Sequence, residues 1–248
     1  MIRYTVLLLL SAAALRADPL ADLRERLRQF PGKTPVAAAV EFTFTDTTGD
    51  DKKPSTAEGR AVAEVGLGAE GLRIVWSGEQ LAAVLREQNA GATKPGVSAP
   101  TLEAMSRLGA PQLHDYLDAA STLLRRLETA KLTGEQATRW KDREARLLAF
   151  KLEPPLSDED RKVIKELDAT AKVWLGTDGL PFAAESSVRL KGRALVVIGF
   201  EHSEKETFTF ARMGDRLVVT THERETADKG GGQNARSRTI ATLRPAAP

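Results

Sequence analysis

The stretch that decides the fold reads KVWLGTDGLPFAAESSVRLKGRALVVIGFEHSEKETFTFARM and covers residues 172–213. Strand-like runs alternate in it with two short breaks, Asp178-Gly179 and Lys191-Gly192, and Gly214-Asp215 follows directly. Glycine accepts positive φ without a Cβ clash, so such pairs are typical of the turns that reverse an antiparallel strand. The C-terminal half is therefore predicted to be an antiparallel meander.

Ten strands are predicted from alternating or continuous apolar runs. They lie at 36–45, 57–67, 72–76, 146–153, 170–175, 182–190, 194–202, 207–213, 216–225 and 238–243. In the first strand Val36, Ala38, Val40, Phe42 and Phe44 share one face, which is the period-two pattern of a half-buried strand. Residues 132–140 are interpreted as a polar connection, and the glycines at 230–232 as a flexible hairpin tip.

Amphipathic helices separate two groups of strands. Leu20, Leu23, Leu27 and Phe30 recur at helical spacing near the N-terminus. A capping-box pattern at Ser77 predicts a helix to about residue 89, followed by a loop at 91–100. Residues 101–127 are predicted to form a kinked helix pair around a proline, and 157–166 either a helix start or an acidic loop.

These elements define an α+β fold with one domain at 18–248. Its expected architecture is a large curved antiparallel sheet, an unclosed half-barrel of about ten strands, with helices covering the concave face. Periodicity alone leaves two alternatives for the space between the sheet and the helices. The helices either fill the concave face as an ordinary core or form a lid over an apolar cavity.

The N-terminus has the pattern of a secretory signal peptide at residues 1–17. Arg3 supplies positive charge, residues 6–10 are unbroken aliphatic, and small residues 11–14 follow. Cleavage after Ala14 places small residues at −3 and −1, whereas the alternative cleavage after Ala17 fits this rule less well because it places Leu15 at −3. The apolar run is well short of the ~20 residues that a spanning helix needs. The mature chain is therefore expected in the periplasm, without a stable transmembrane segment.

Composition excludes several classes of function. The chain has 248 residues, 36 Lys+Arg against 34 Asp+Glu, and no cysteine. Near-neutral charge disfavours a nucleic-acid partner, because such binding depends on neutralising phosphates. The absence of cysteine excludes disulfides, thiolate metal sites and cysteine nucleophiles, and is consistent with export to a bacterial periplasm.

No catalytic residue, metal site or cofactor is predicted, and the chain is expected not to be an enzyme. The three histidines are His114, His202 and His222, and Thr226 stands where a zinc-protease motif beginning at His222 needs a second histidine. No nucleophile-elbow, phosphate-loop or dinucleotide motif occurs. The carboxylate pairs 201/204 and 223/225 are interpreted as charges on a solvated sheet face. A hydrolase without a motif stays open, and a histidine, carboxylate and hydroxyl converging in a cleft would favour it.

The sequence resembles the periplasmic lipoprotein-carrier family in two respects. One is the order of its elements, and the other is the hairpin Val173-Trp174-Leu175-Gly176-Thr177-Asp178-Gly179-Leu180-Pro181-Phe182. This family includes outer-membrane lipoprotein-sorting proteins. The resemblance implies non-enzymatic binding of a lipid, a lipoprotein acyl chain or another apolar ligand. The alternative is a structural module with a filled core, which binds a protein partner through an exposed strand edge or the loop at 91–100.

Nine apolar residues on the predicted strands and helices are candidates for lining the cavity. They are Phe42, Phe44, Trp76, Leu81, Leu85, Leu117, Leu124, Phe150 and Phe200.

Overall fold

The structure is a computed structural model that describes residues 18–49, 53–94, 96–194 and 198–246. Within these ranges the helices are α1 (Pro19–Arg28), α2 (Gly78–Thr93), α3 (Pro100–Arg107), α4 (Ala110–Leu117), α5 (Ala119–Leu127) and α6 (Asp158–Val163). The strands are β1 (Val36–Gly49), β2 (Ser55–Gly68), β3 (Gly71–Trp76), β4 (Lys131–Trp140), β5 (Arg143–Lys151), β6 (Ile164–Leu175), β7 (Pro181–Ala194), β8 (Ile198–Met213), β9 (Arg216–Gly230) and β10 (Gln233–Pro245).

The ten strands form one antiparallel sheet in the order β3-β2-β1-β10-β9-β8-β7-β6-β5-β4. Strand β10 returns to pair with β1, which places β3 and β4 at the two edges. Those edge strands also flank the helical segment α2–α5, so the chain leaves one edge of the sheet and reaches the other through helices. The sheet is unclosed, in agreement with the predicted α+β half-barrel.

Local sequence accounts for where the helices begin. Asp18 caps α1 by accepting a hydrogen bond from the Leu20 N–H, and Pro19 occupies the first turn, where a missing N–H costs little. Ser157 and Asp160 form a reciprocal capping box at α6, so the helical alternative for this segment is confirmed. Ser77 caps α2, but the Gln80 side chain bonds the backbone of Val62 instead of Ser77 N–H.

The main core lies on one side of the sheet, which we call the covered face. The period-two pattern of β1 is confirmed, since Val40, Phe42 and Phe44 are at most 2% exposed. Helices α1, α3, α4 and α5 contribute buried side chains to the same core, whereas α2 contributes none. The helical contributors are Leu23, Leu27, Ala104, Leu113, Tyr116, Leu117, Ala119, Ala120 and Leu127.

Gly59 allows α3 to approach the sheet closely. A Cβ at this position would overlap both the ring of Phe44 and the carbonyl oxygen of Pro100 at the start of α3. The contact between α3 and β2 is therefore made by backbone against backbone, which only glycine permits.

The two hairpin turns predicted at Gly179 and Gly214 are confirmed, with φ of 77° and 62°. The break predicted at Lys191-Gly192 is wrong, because β7 runs through it to Ala194. Gly192 is instead the place where the Phe200 ring lies against the backbone of the neighbouring strand. The glycine hairpin tip at 231–232 is present, with both residues at positive φ.

The predicted number of strands is right, but two strands differ. Residues 132–140 are not a connection but belong to β4, and the strands predicted at 194–202 and 207–213 form the single strand β8. Helix α2 extends to Thr93, into the predicted loop, and residues 100–127 form three short helices instead of a kinked pair.

The predicted signal peptide lies outside the described residues. Among the residues that are described, none forms a helix that is both long and apolar enough to cross a membrane.

Candidate functional site

A cavity of about 610 Å³ lies between helices α4 and α5 and strands β5 to β9. We call it the helix-covered cavity. Its apolar wall includes Leu123, Leu127, Phe150, Leu152, Val173, Ala184, Val188, Phe208, Phe210 and Val219. Its polar wall includes Gln112, Tyr116, Arg126, Ser186, Glu204, Glu206, His222 and Arg224.

A chain of hydrogen bonds crosses the polar wall. Gln112 Nε2 donates to Tyr116 Oη at 2.5 Å, and Tyr116 Oη lies 2.8 Å from His222 Nδ1. The other ring nitrogen, His222 Nε2, lies 3.1 Å from Glu206 Oε1. Tyr116 and His222 are 3% and 6% exposed, so these bonds are largely screened from water.

The sheet register explains how β8 and β9 bring this chain together. His222 on β9 pairs with Phe208 on β8, and Glu206 is the next residue on the same face of β8. His222 therefore reaches Glu206 along a cross-strand diagonal. Tyr116 projects from α4 and completes the chain of hydrogen bonds from the helical side.

The surroundings of Glu206 hold it as a carboxylate. Burial alone would raise its pKa, but this is more than offset by the hydrogen bond from His222 and by the electrostatic attraction of the neighbouring His222 ring and Arg126 guanidinium. With a further hydrogen bond from Ser186 Oγ at 3.1 Å, the pKa of Glu206 falls to about 2. Burial raises the pKa of the Tyr116 phenol far above its usual range.

Aromatic rings border the hydrogen-bonded chain on its apolar side. The Phe208 ring is parallel to the His222 ring with centroids 4.2 Å apart, and Phe210 stacks on Phe208 at 6.2 Å. The guanidinium of Arg126 lies 5.5 Å from the Phe208 centroid. Polar and apolar walls of the cavity thus meet at Phe208.

The boundary between the polar and apolar walls continues across the sheet. On the covered face, Phe208, His222, Ala241 and Phe42 form one cross-strand row. Toward the 230–233 end of the same strands the face becomes polar, with Glu204, Glu206, Arg224, Thr226, Asp228, Ser237 and Thr239.

A second cavity of about 420 Å³ lies over this polar part, and we call it the polar cavity. Its lining residues are Phe42, Arg107, Gln112, His202, Arg224, Thr226, Asp228, Ser237 and Thr239. Two of them, Gln112 and Arg224, also line the helix-covered cavity.

The structure scatters the nine residues predicted to line a cavity. Phe150 lines the helix-covered cavity, Phe42 the polar cavity, and Phe200 a separate open cavity of about 700 Å³ at the 191–193 and 230–232 end. The other six line none of these three cavities. Phe44 and Leu117 are core residues at 2% and 0% exposure.

Trp76 and Leu124 are half-buried and pack against the core. Leu81 and Leu85 on α2 are 47% and 60% exposed. The sequence pattern correctly identified apolar helix positions, but in α2 that side of the helix is not covered by the described chain.

Sequence reasoning did not identify Tyr116 or Glu206 as site residues and considered His222 as a histidine that could join a hydrolase cleft. A usable signal existed, because Glu204, Glu206, Phe208 and Phe210 alternate on one face of a strand. His202 lies in the polar cavity with Nδ1 2.6 Å from Asp228 Oδ1. Within the described ranges, no three His, Asp or Glu side chains are arranged to hold a metal ion.

No protein-family model and no curated protein matches the chain. Two solved structures are similar at 12% identity. A DUF1329 family protein from Desulfovibrio piger has a TM-score of 0.32, with 92% of this chain and 94% of that chain covered. TldE from Thermococcus kodakarensis has a TM-score of 0.14, with 86% of this chain and 43% of that chain covered. At these TM-scores neither likeness supports an argument about this chain.

Proposed function

We propose that the chain is an exported periplasmic protein that binds a lipid, a lipoprotein acyl chain or another apolar ligand, without catalysing a reaction. The observation that carries the proposal is the helix-covered cavity of about 610 Å³ between the helices and the sheet. This volume lies within the roughly 300–1,000 Å³ of typical small-molecule sites. The helical lid and curved sheet expected from the lipoprotein-carrier resemblance would give such a cavity.

The apolar wall is suited to an alkyl chain. Leu127, Phe150, Val173 and Val219 are buried core residues that also border the cavity, so the space is an extension of the core. Each methylene transferred from water into such a wall contributes about 0.8 kcal/mol. Burial of about fifteen methylenes contributes about 12 kcal/mol, which after an association cost of about 4 kcal/mol leaves binding on the order of 1 μM.

The polar wall supports the alternative of a hydrolase, because His222, the Glu206 carboxylate and two hydroxyls converge there. The contacts favour binding over catalysis. Ser186 donates to Glu206 instead of His222, and a carboxylate with a pKa of about 2 is too weak a base to activate it. The raised pKa of Tyr116 works against a phenolate nucleophile. We therefore assign these groups to holding α4 on the sheet and closing the polar side of the cavity.

Mass spectrometry of the protein purified under native conditions from a periplasmic extract tests this proposal. We expect a co-purifying lipid or acyl species and a mature mass that lacks residues 1–14 or 1–17. A full-length mass from the cytosolic fraction would contradict export. A ligand-free protein that also fails to take up added fatty acid would contradict lipid binding, and turnover of an ester substrate that is lost in His222→Ala would favour the hydrolase.

A further inference from the structure

The helix-covered cavity and the polar cavity adjoin each other beneath α4. Gln112 and Arg224 line both, and Gln112 is fixed in place by its hydrogen bond to Tyr116. We propose that the two cavities are the two halves of one site for an amphiphile whose polar head is uncharged and rich in hydroxyl groups. The inference rests on the proposed function, because the apolar chain of the same ligand would occupy the helix-covered cavity.

Hydroxyl groups form the floor of the polar cavity. Thr226 on β9 lies directly across from Ser237 on β10, and Thr239 lies across from Arg224. Ser237 lies across from Asp46 and interacts with its carboxylate, whereas the hydroxyls of Thr226 and Thr239 form no hydrogen bond within the part of the chain that the structure describes. A hydroxyl both donates and accepts, so this floor suits a ligand with the same dual capacity, such as a sugar or glycerol head.

The charged side chains around the polar cavity are already paired with one another. Arg224 Nη2 lies 2.7 Å from Glu204, and His202 Nδ1 lies 2.6 Å from Asp228. Arg107 on α3 forms ion pairs with both Asp46 and Glu103.

An anionic head would have to displace one of these carboxylates from its arginine. The displaced carboxylate would then face the ligand charge in a partly desolvated space, which is unfavourable. Acidic side chains also outnumber basic ones on the wall of the helix-covered cavity, so no nearby surplus of cations compensates. An uncharged head leaves every pair intact and bonds through hydroxyls alone.

The experiment compares three ligands with alkyl chains of eleven or twelve carbons: dodecyl maltoside, dodecyl phosphocholine and dodecanoate. Each displaces a dansylated fatty acid from the intact mature protein, below its micelle concentration. We expect dodecyl maltoside to compete best. In the double variant Thr226→Val with Thr239→Val, its affinity should fall roughly tenfold, while that of dodecanoate stays unchanged, because two hydrogen bonds to the head are lost.

Thr242→Val is the matched control, because Thr242 lies on the opposite face of β10. Its head-group preference should equal that of the unaltered protein. Equal affinity for the three ligands, or a preference for dodecanoate, would overturn the inference while the proposed function stands. If the dansylated fatty acid itself does not bind, the proposed function fails and the inference fails with it. Should the double variant not fold, the ranking in the unaltered protein still decides.

Discussion

His222 Nε2 lies 3.1 Å from Glu206 Oε1, and this contact links neighbouring strands beneath the helices. The same histidine contacts Tyr116 of α4 through its other nitrogen. One ring therefore ties the helical layer to an ionised carboxylate on the sheet. Since both partners are largely buried, the contact affects stability as well as the shape of the cavity.

The depressed pKa of Glu206 predicts a specific pH dependence of stability. Its pKa falls from 4.5 to about 2 on folding, so the ionised carboxylate stabilises the fold above pH 4.5, and this contribution is lost as the pH falls through about 2. The shift corresponds to about 3 kcal/mol. The Glu206→Gln variant should lack this pH-dependent contribution to stability. The free energy of urea unfolding, measured between pH 7 and pH 2.5, checks this expectation.

Glu201→Gln is the control for that series, because Glu201 lies on the same strand but its ion pair with Lys191 is exposed. Its stability should stay within about 0.5 kcal/mol of the unaltered protein. If Glu206→Gln and Glu201→Gln follow the same pH profile, the assigned role of Glu206 is wrong.

Loss of the Tyr116 hydroxyl should destabilise the protein. Tyr116→Phe leaves His222 Nδ1 and Gln112 Nε2 without their partner in a buried setting, which costs about 1–3 kcal/mol. Denaturant unfolding at pH 7 measures the effect. Ser106→Ala, which removes an exposed hydroxyl bonded only within α3, serves as the comparison and should be nearly neutral. Equal stability of the two variants would contradict the account.

Two leucines that look alike in sequence should behave differently. Leu117 in α4 is 0% exposed and Leu85 in α2 is 60% exposed. We expect Leu117→Ala to lower the free energy of unfolding by about 2–5 kcal/mol, because it opens a void in the core. Leu85→Ala should change it by less than about 0.5 kcal/mol. A large effect of Leu85→Ala in thermal or chemical unfolding would show that α2 packs on something in solution.

Gly59 should be intolerant of a side chain. Gly59→Ala places a Cβ against Phe44 and the Pro100 backbone, so α3 must move away from β2. We expect a loss of about 1–3 kcal/mol from this overpacking. Gly199→Ala is the matched strand control, since nothing lies within 4 Å of a Cβ there. Similar unfolding midpoints for the two variants would contradict the close approach of α3.

The sequence predicted the parts of the fold in which burial alternates. Strand β1, with Val40, Phe42 and Phe44 inward, was recognisable for that reason. Strand β4 was missed because it is an edge strand that is exposed along most of its length and bulges near Gly134. A strand with no buried face leaves no period-two signal.

The polar residues that define the site also prevented its prediction from the sequence. The polar run Ser203-Glu204-Lys205-Glu206 falls between the strands predicted at 194–202 and 207–213. In the structure Glu204 and Glu206 continue the covered face of Phe208 and Phe210 along one strand, where the core is replaced by a polar wall. At such a wall the sequence pattern and the position of the residues in the fold conflict. Conflicts of this kind are common at functional sites.

The most direct test of the central claim is a fluorescence titration with a dansylated fatty acid. Val188→Trp fills the helix-covered cavity from β7, and Val75→Trp adds the same bulk on edge strand β3, where Val75 is 37% exposed. We predict binding on the order of 1 μM for the unaltered protein and for Val75→Trp. Val188→Trp should bind at least about tenfold more weakly, because its ring occupies the space of the alkyl chain. Superimposable titrations of the two variants, or no binding by the unaltered protein, would contradict the claim.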